Sequence, residues 1–188
     1  MPEPRTTDSE LLDALMLPAR QADYPRDSRA FVRIDCSLRV YWHLLFDTCP
    51  ELLALNSPDG LAIFRPFMAW AAPHQFSMNW SYFLRVYQWL LHSEFRDQVS
   101  VELARSLTAA SAARWATGDR SANSGIVLGC SDFPELIVGW KCRRVNGGRE
   151  VERLELEEPL PLPQGRFGYF TASKFELDDF PGWSEIPR

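Results

Sequence analysis

Ser77-Met78-Asn79-Trp80-Ser81-Tyr82-Phe83-Leu84-Arg85-Val86-Tyr87-Gln88-Trp89-Leu90-Leu91-His92 is the stretch on which the fold turns. After Asn79 its non-apolar positions are Ser81, Arg85, Gln88 and His92, spaced i, i+4, i+7 and i+11, one narrow stripe of an α-helix. A helix that is apolar around most of its circumference needs protein on several sides, so a buried central helix over about 77–92 is expected.

Downstream, Asp97 to Trp115 carries Val99, Leu103, Leu107 and Ala110 at helical spacing, with Gly118 as its stop and alanines that would let a neighbour approach closely. Asp119 to Ser124 is small and polar and reads as a mobile loop into a strand-rich last third. Strands are expected at Gly125–Cys130, Leu136–Val145, Arg149–Leu156 and Gly165–Ala172. Asn146-Gly147 is a strong hairpin signal, because a two-residue turn needs positive φ at both positions. That turn would set Arg143 opposite Glu150, Lys141 opposite Glu152 and Cys142 opposite Val151, pairing opposite charges. Pro159, Pro161 and Pro163 alternate with leucines, giving an extended, donor-poor segment. Phe175, Phe180 and Trp183 are placed to pin an acidic tail to the body.

Upstream, Phe31 to Val40 alternates apolar and polar residues and predicts a strand. Phe31, Ile34, Leu38, Tyr41 and Leu45 also fit a helical face, so a helix is its rival. Ser57-Pro58 reads as a cap and first turn for a helix from Pro58 to Ala71, kinked near Pro66 and ended by Pro73. Thr7-Asp8-Ser9-Glu10 has the capping-box spacing, starting a short helix from about Asp8 to Leu17. The expected fold is therefore α+β: a helical N-terminal two-thirds around the buried central helix, then antiparallel strands. The 188 residues suit a single domain spanning 1–188, with a possible subdivision into a helical 1–118 and a hairpin-rich 119–188. Cys49-Pro50-Glu51-Leu52-Leu53 and Phe133-Pro134-Glu135-Leu136-Ile137 resemble each other, but no period follows and no repeat is inferred.

A net charge of −5 gives no electrostatic footprint for nucleic acid, and a basic or neutral partner fits better. The apolar run from Phe64 to Leu91 is broken by Arg65, Pro66, Pro73, His74 and Arg85, so no membrane span is expected. Met1-Pro2-Glu3-Pro4-Arg5 lacks the pattern of a signal peptide, and four scattered cysteines form no C-x-x-C pair; a cytoplasmic protein with reduced thiols is the expectation.

Phosphate-binding and serine-hydrolase motifs are missing, and His92-Ser93-Glu94 is only half of a zinc-deaminase signature. His43, His74 and His92 include no i, i+4 pair, so neither a metal site nor a cofactor is expected. Cys49, near His43 and Asp47 and before Pro50, is the nearest approach to an activated nucleophile, since a helix start would lower its pKa. No catalytic residue is assigned. Lys141, Arg143, Arg144 and Arg149 form a basic hairpin that its own glutamates can neutralise.

Two functional readings lead, with a purely structural subunit as a third. The first is a protein-binding module, an assembly subunit or an acidic inhibitor in the manner of bacterial immunity proteins. That analogy is one of size and charge, carried by no motif. Its partner-binding residues would be Glu176, Asp178, Asp179, Phe180 and Trp183, and it predicts an exposed apolar patch rimmed by Asp and Glu. The alternative is an enzyme or ligand-binding protein with an anionic small molecule held by Ser81, Arg85, Gln88 and His92, which predicts a deep pocket where Arg85 and His92 converge.

Overall fold

The computed structural model describes residues 18–55, 60–74, 76, 78–143, 147, 149–177 and 179–187. It is α+β, with four α-helices in the N-terminal part and a five-stranded antiparallel sheet in the C-terminal part. The chain divides into two compact units, Met1–Phe76 and Ser77–Arg188. The expected helix from Asp8 to Leu17 and the Ser57-Pro58 cap lie outside the described residues.

In the first unit, α1 spans Arg29–Thr48, which corrects the strand expected over Phe31–Val40. Period-two alternation also contains i, i+4 pairs, and the two periods diverge only over a longer run. Ile34, Leu38, Leu45 and Phe46 form the buried stripe, while Val32 and Val40, on the same side of the supposed strand, are 52% and 65% exposed. Ser28 starts the helix, its side chain accepting from the Phe31 amide at 3.1 Å. A 3₁₀ turn at Pro50–Ala54 follows, and then α2, Leu61–Ala71, which carries Pro66 within it and ends where expected. Gly60 caps α2 at φ 68°, and a Cβ there would lie 2.2 Å from Phe46 Cζ, so both backbone and packing require glycine.

In the second unit, α3 spans Tyr82–Leu90, shorter than the expected 77–92 because Asn79 Oδ1 accepts from both the amide and the hydroxyl of Ser81 at 2.8 Å, forming a turn before the helix. Every α3 residue except Gln88 is buried, as its all-round apolar character requires. Helix α4, Val101–Gly118, starts at Ser100, whose hydroxyl accepts from the Leu103 amide; Val99 falls just before it.

The strands are β1 (Gly125–Cys130), β2 (Phe133–Arg143), β3 (Arg149–Leu154), β4 (Phe167–Ala172) and β5 (Ser184–Glu185), in the order β3-β2-β1-β4-β5. One face meets the helices: Gly139 sits so close to α4 that a Cβ would be 2.6 Å from the Ala112 carbonyl oxygen. Tyr169 and Phe167 meet Trp80 and Tyr87 edge to face. The other face holds Val127, Leu136, Val138, Trp140, Phe170 and Ala172.

The β2–β3 hairpin forms, and Gly147 has φ 83°, but the expected register is corrected. Leu136 pairs with Leu154, Val138 with Glu152 and Trp140 with Glu150, and an irregularity between Trp140 and Arg143 sets Arg143 opposite Arg149. Aligning Leu136 with Leu154 on the buried face outweighs charge pairs that water screens. Lys141 instead donates to Asp119 Oδ1 and to the Ser121 carbonyl, both at 2.7 Å, tying down the loop that follows α4. Arg144, Asn146 and the Arg143 side chain lie outside the described part. Of the two similar pentapeptides, one opens a 3₁₀ turn and the other opens β2.

Candidate functional site

The polar stripe of α3 turns inward. Ser81 is fully buried and bonded to Asn79, and Arg85 is buried with its Nη1 donating to Gln88 Oε1 at 2.8 Å. Arg85 Nη2 donates to the carbonyls of Pro187 at 2.7 Å and Ile186 at 3.3 Å. The guanidinium thus holds residues 186–187 through their carbonyl dipoles. His92 lies beyond the end of α3 and is exposed, so the stripe divides into a buried fastener, Arg85 with Gln88, and a surface histidine.

That fastener secures a strap across the open sheet face. Trp183 lies against two glycines of neighbouring strands: a Cβ on Gly129 would be 2.5 Å from its ring and one on Gly168 2.9 Å from its Cβ. The Trp183 indole donates to the Pro161 carbonyl at 2.6 Å, and its ring meets those of Phe170 and Phe180 at 5.5 and 5.1 Å. Phe180 and Trp183 are therefore half-buried anchors of the chain's own tail, while Glu176 and Asp179 are exposed. Asp178 lies outside the described residues.

Beside the strap runs a small apolar groove of about 80 Å³, whose lining includes Phe133, Leu136, Leu156, Leu162 and Trp183. Leu162 is 68% and Leu156 40% exposed, and Glu155, Glu157 and Glu158, all exposed, flank Leu156 in the chain. Sequence reasoning singled out the acidic tail beyond Glu176 and missed this segment. The available signal was the alternation of Leu160 and Leu162 with Pro159, Pro161 and Pro163: such a sequence favours a polyproline II course with three residues per turn, on which leucines two apart point in different directions.

Several ionisable groups of this unit are paired with one another. Tyr87 donates to Asp132 Oδ2 at 2.8 Å, and Arg166 donates to the same oxygen. Burial pushes the Asp132 carboxyl up, yet the bonds from Arg166 and Tyr87 outweigh it and hold the group below the usual carboxylate range. Burial first, and then the bond to Asp132, raise the Tyr87 phenol. No motif announced this cluster, because its members are 45 and 34 residues apart. Arg105 links Glu102 of α4 to Glu135 of β2, and Arg153 of β3 joins at Glu102 Oε2.

Cys49 corrects the nucleophile expectation. It is buried, and that burial, with a smaller contribution from Glu51, pushes its thiol up to about 12. The 3₁₀ turn it precedes has five residues, too short to build the dipole that would lower it. Among the described residues no group of three or more His, Cys, Asp and Glu side chains is placed to hold a metal ion, and no helix is long and apolar enough to cross a membrane. His43 faces Asp47 at 3.5 Å, and His74 Nδ1 lies 2.7 Å from the Trp70 carbonyl oxygen.

Among protein-family models, one described as MbnC-like, "Methanobactin biosynthesis cassette protein MbnC-like", matches residues 21–187, nearly the whole chain. No curated protein matches it.

Proposed function

The chain belongs to the MbnC-like family, and from that premise we propose that it is a protein-binding subunit of a biosynthetic assembly, acting through contacts with other products of its cassette. The observation that carries this reading is the acid-flanked apolar surface beside the strap. Leu156 and Leu162 stay exposed on this groove, Glu155, Glu157 and Glu158 flank Leu156 in the chain, and Trp183 is held by its bond to the Pro161 carbonyl. Exposed apolar side chains flanked by one sign of charge suit a partner with a matching apolar face and a basic rim, the charges steering encounter and the leucines holding the complex. Phe175, 62% exposed and 6.1 Å from the Trp140 ring, adds a second apolar contact close to Glu176 and Asp179.

Of the two forms of the protein-binding reading, assembly subunit and acidic inhibitor, family membership supports the first. The ligand-binding alternative is weakened by the division of its four residues: Arg85 is engaged by Gln88 and two carbonyls, and Ser81 by Asn79.

The test is pairwise co-expression with each other protein of the cassette, followed by sizing and a binding titration. A stable complex should form, associate more slowly as salt rises, and weaken about tenfold or more in Leu162→Asp, a substitution at an exposed position that leaves folding intact. A monomer with every cassette protein, or affinity unchanged in both Leu162→Asp and Phe175→Asp, overturns the reading.

A further inference from the structure

The first unit carries a cleft that takes no part in the function proposed above. Asp35, Leu38, Arg39, Trp42 and His43 of α1 form one wall, Leu61, Phe64 and Arg65 of α2 the other, and Gln21 closes an end; the volume is about 290 Å³. The geometry points to a binding site for a small organic acid, a ring-sized apolar group bearing one carboxylate, seated among Leu38, Trp42 and Phe64 with its charge between the Arg39 and Arg65 guanidiniums.

The spacing puts these groups there. On α1, positions 35, 38, 39 and 42 lie on one helical face, and on α2 so do 61, 64 and 65. Among the described residues lining the cleft Asp35 is the one carboxylate, and it is engaged on both oxygens, Oδ1 accepting from Gln21 Nε2 at 3.2 Å and Oδ2 from Arg39 Nε at 2.7 Å. Asp35 therefore orients Arg39, and that residue's two Nη groups remain available. Arg65 makes no hydrogen bond or ion pair among the described residues, although its charge is felt at Asp35. Two cations stand against one occupied anion, so the cleft has a positive surplus in an otherwise acidic protein. Guanidinium groups match the planar carboxylate with paired donors, and Trp42 and Phe64 provide the aromatic wall that gives an apolar ligand its affinity. The volume, at the low end of ligand sites of about 300–1,000 Å³, suits one ring with a short acid arm.

Calorimetric titration of the full chain at low salt with 3-phenylpropionate, its uncharged amide, and the capped dipeptide acetyl-Phe-Glu-amide tests the assignment. The free acid should bind with its amide at least about tenfold weaker. Arg65→Gln should weaken the acid by a similar factor and erase the difference between acid and amide while leaving the unfolding midpoint unchanged. Since Arg65 is exposed, that variant keeps the fold. Equal binding of acid and amide, no binding of the acid at millimolar concentration, acid binding undiminished in Arg65→Gln, or binding by the dipeptide alone would overturn it.

Discussion

Two of the four thiols, Cys49 and Cys130, are buried, and burial pushes each up to about 12. At pH 8 each holds on the order of a thousandfold less thiolate than an ordinary cysteine. Cys142 is raised as well, by burial first and then by Glu150, whereas Cys36 stands exposed on α1. Alkylation by iodoacetamide at pH 8, followed by mass spectrometry, is expected to modify Cys36 first and to leave Cys49 and Cys130 untouched until denaturant is added. Early labelling of Cys49 would mean that its pocket opens in the native state. The residue types that could carry chemistry were visible in the sequence. Their burial was not, because burial depends on which distant segments cover them: Arg85 reaches carbonyls 101 and 102 positions away.

At the scale of elements, α4 and β2 pack as closely as backbones allow. Gly139→Ala would set a methyl 2.6 Å from the Ala112 carbonyl oxygen, which cannot swing aside like a side chain, and is expected to destabilise the fold by about 1–3 kcal/mol. Gly118→Ala at the end of the same helix meets nothing within 4 Å and should stabilise by about 0.5–1 kcal/mol through lower backbone freedom in the unfolded chain. Urea unfolding of the pair measures both, and equal midpoints would show that the sheet does not press on α4 as closely as described. Periodicity located α3, α4, β1 and β4 because each has a single consistent pattern. It misread α1, where Val32, Cys36 and Val40 lie on the solvent side of a helix at a spacing that also suits a strand. It misplaced the hairpin register because charge matching was visible locally, whereas burial of Leu136 with Leu154 was decided by the sheet.

Over the whole molecule, four carboxyls among the described residues are held down by their neighbours: Glu102, by Arg105 above all and by Arg153, and three aspartates. Burial raises Asp35, Asp119 and Asp132, but the hydrogen bonds of Arg39 and Gln21, of Lys141 and Ser121, and of Arg166 and Tyr87 respectively outweigh it. A folded-state pKa below the unfolded value of about 3.9 contributes stability that is complete above that value and disappears as pH falls through the folded one. Thermal unfolding midpoints should therefore be level from neutral pH to about 5 and drop steeply below about 4, with Asp132→Asn flattening the acid limb of the second unit. An unchanged acid limb in that variant would remove Asp132 from the set.

The α+β class, the buried aromatic helix and the pairing of β2 with β3 as a hairpin followed from local spacing, since helix and strand periods and turn stereochemistry are properties of a few consecutive residues. Tertiary structure alone decided that residues 29–48 are helical, that the tail crosses the sheet on the Gly129 and Gly168 seat, and which leucines stay exposed. Each depends on contacts between segments far apart in the chain, whose energies no short window of sequence contains.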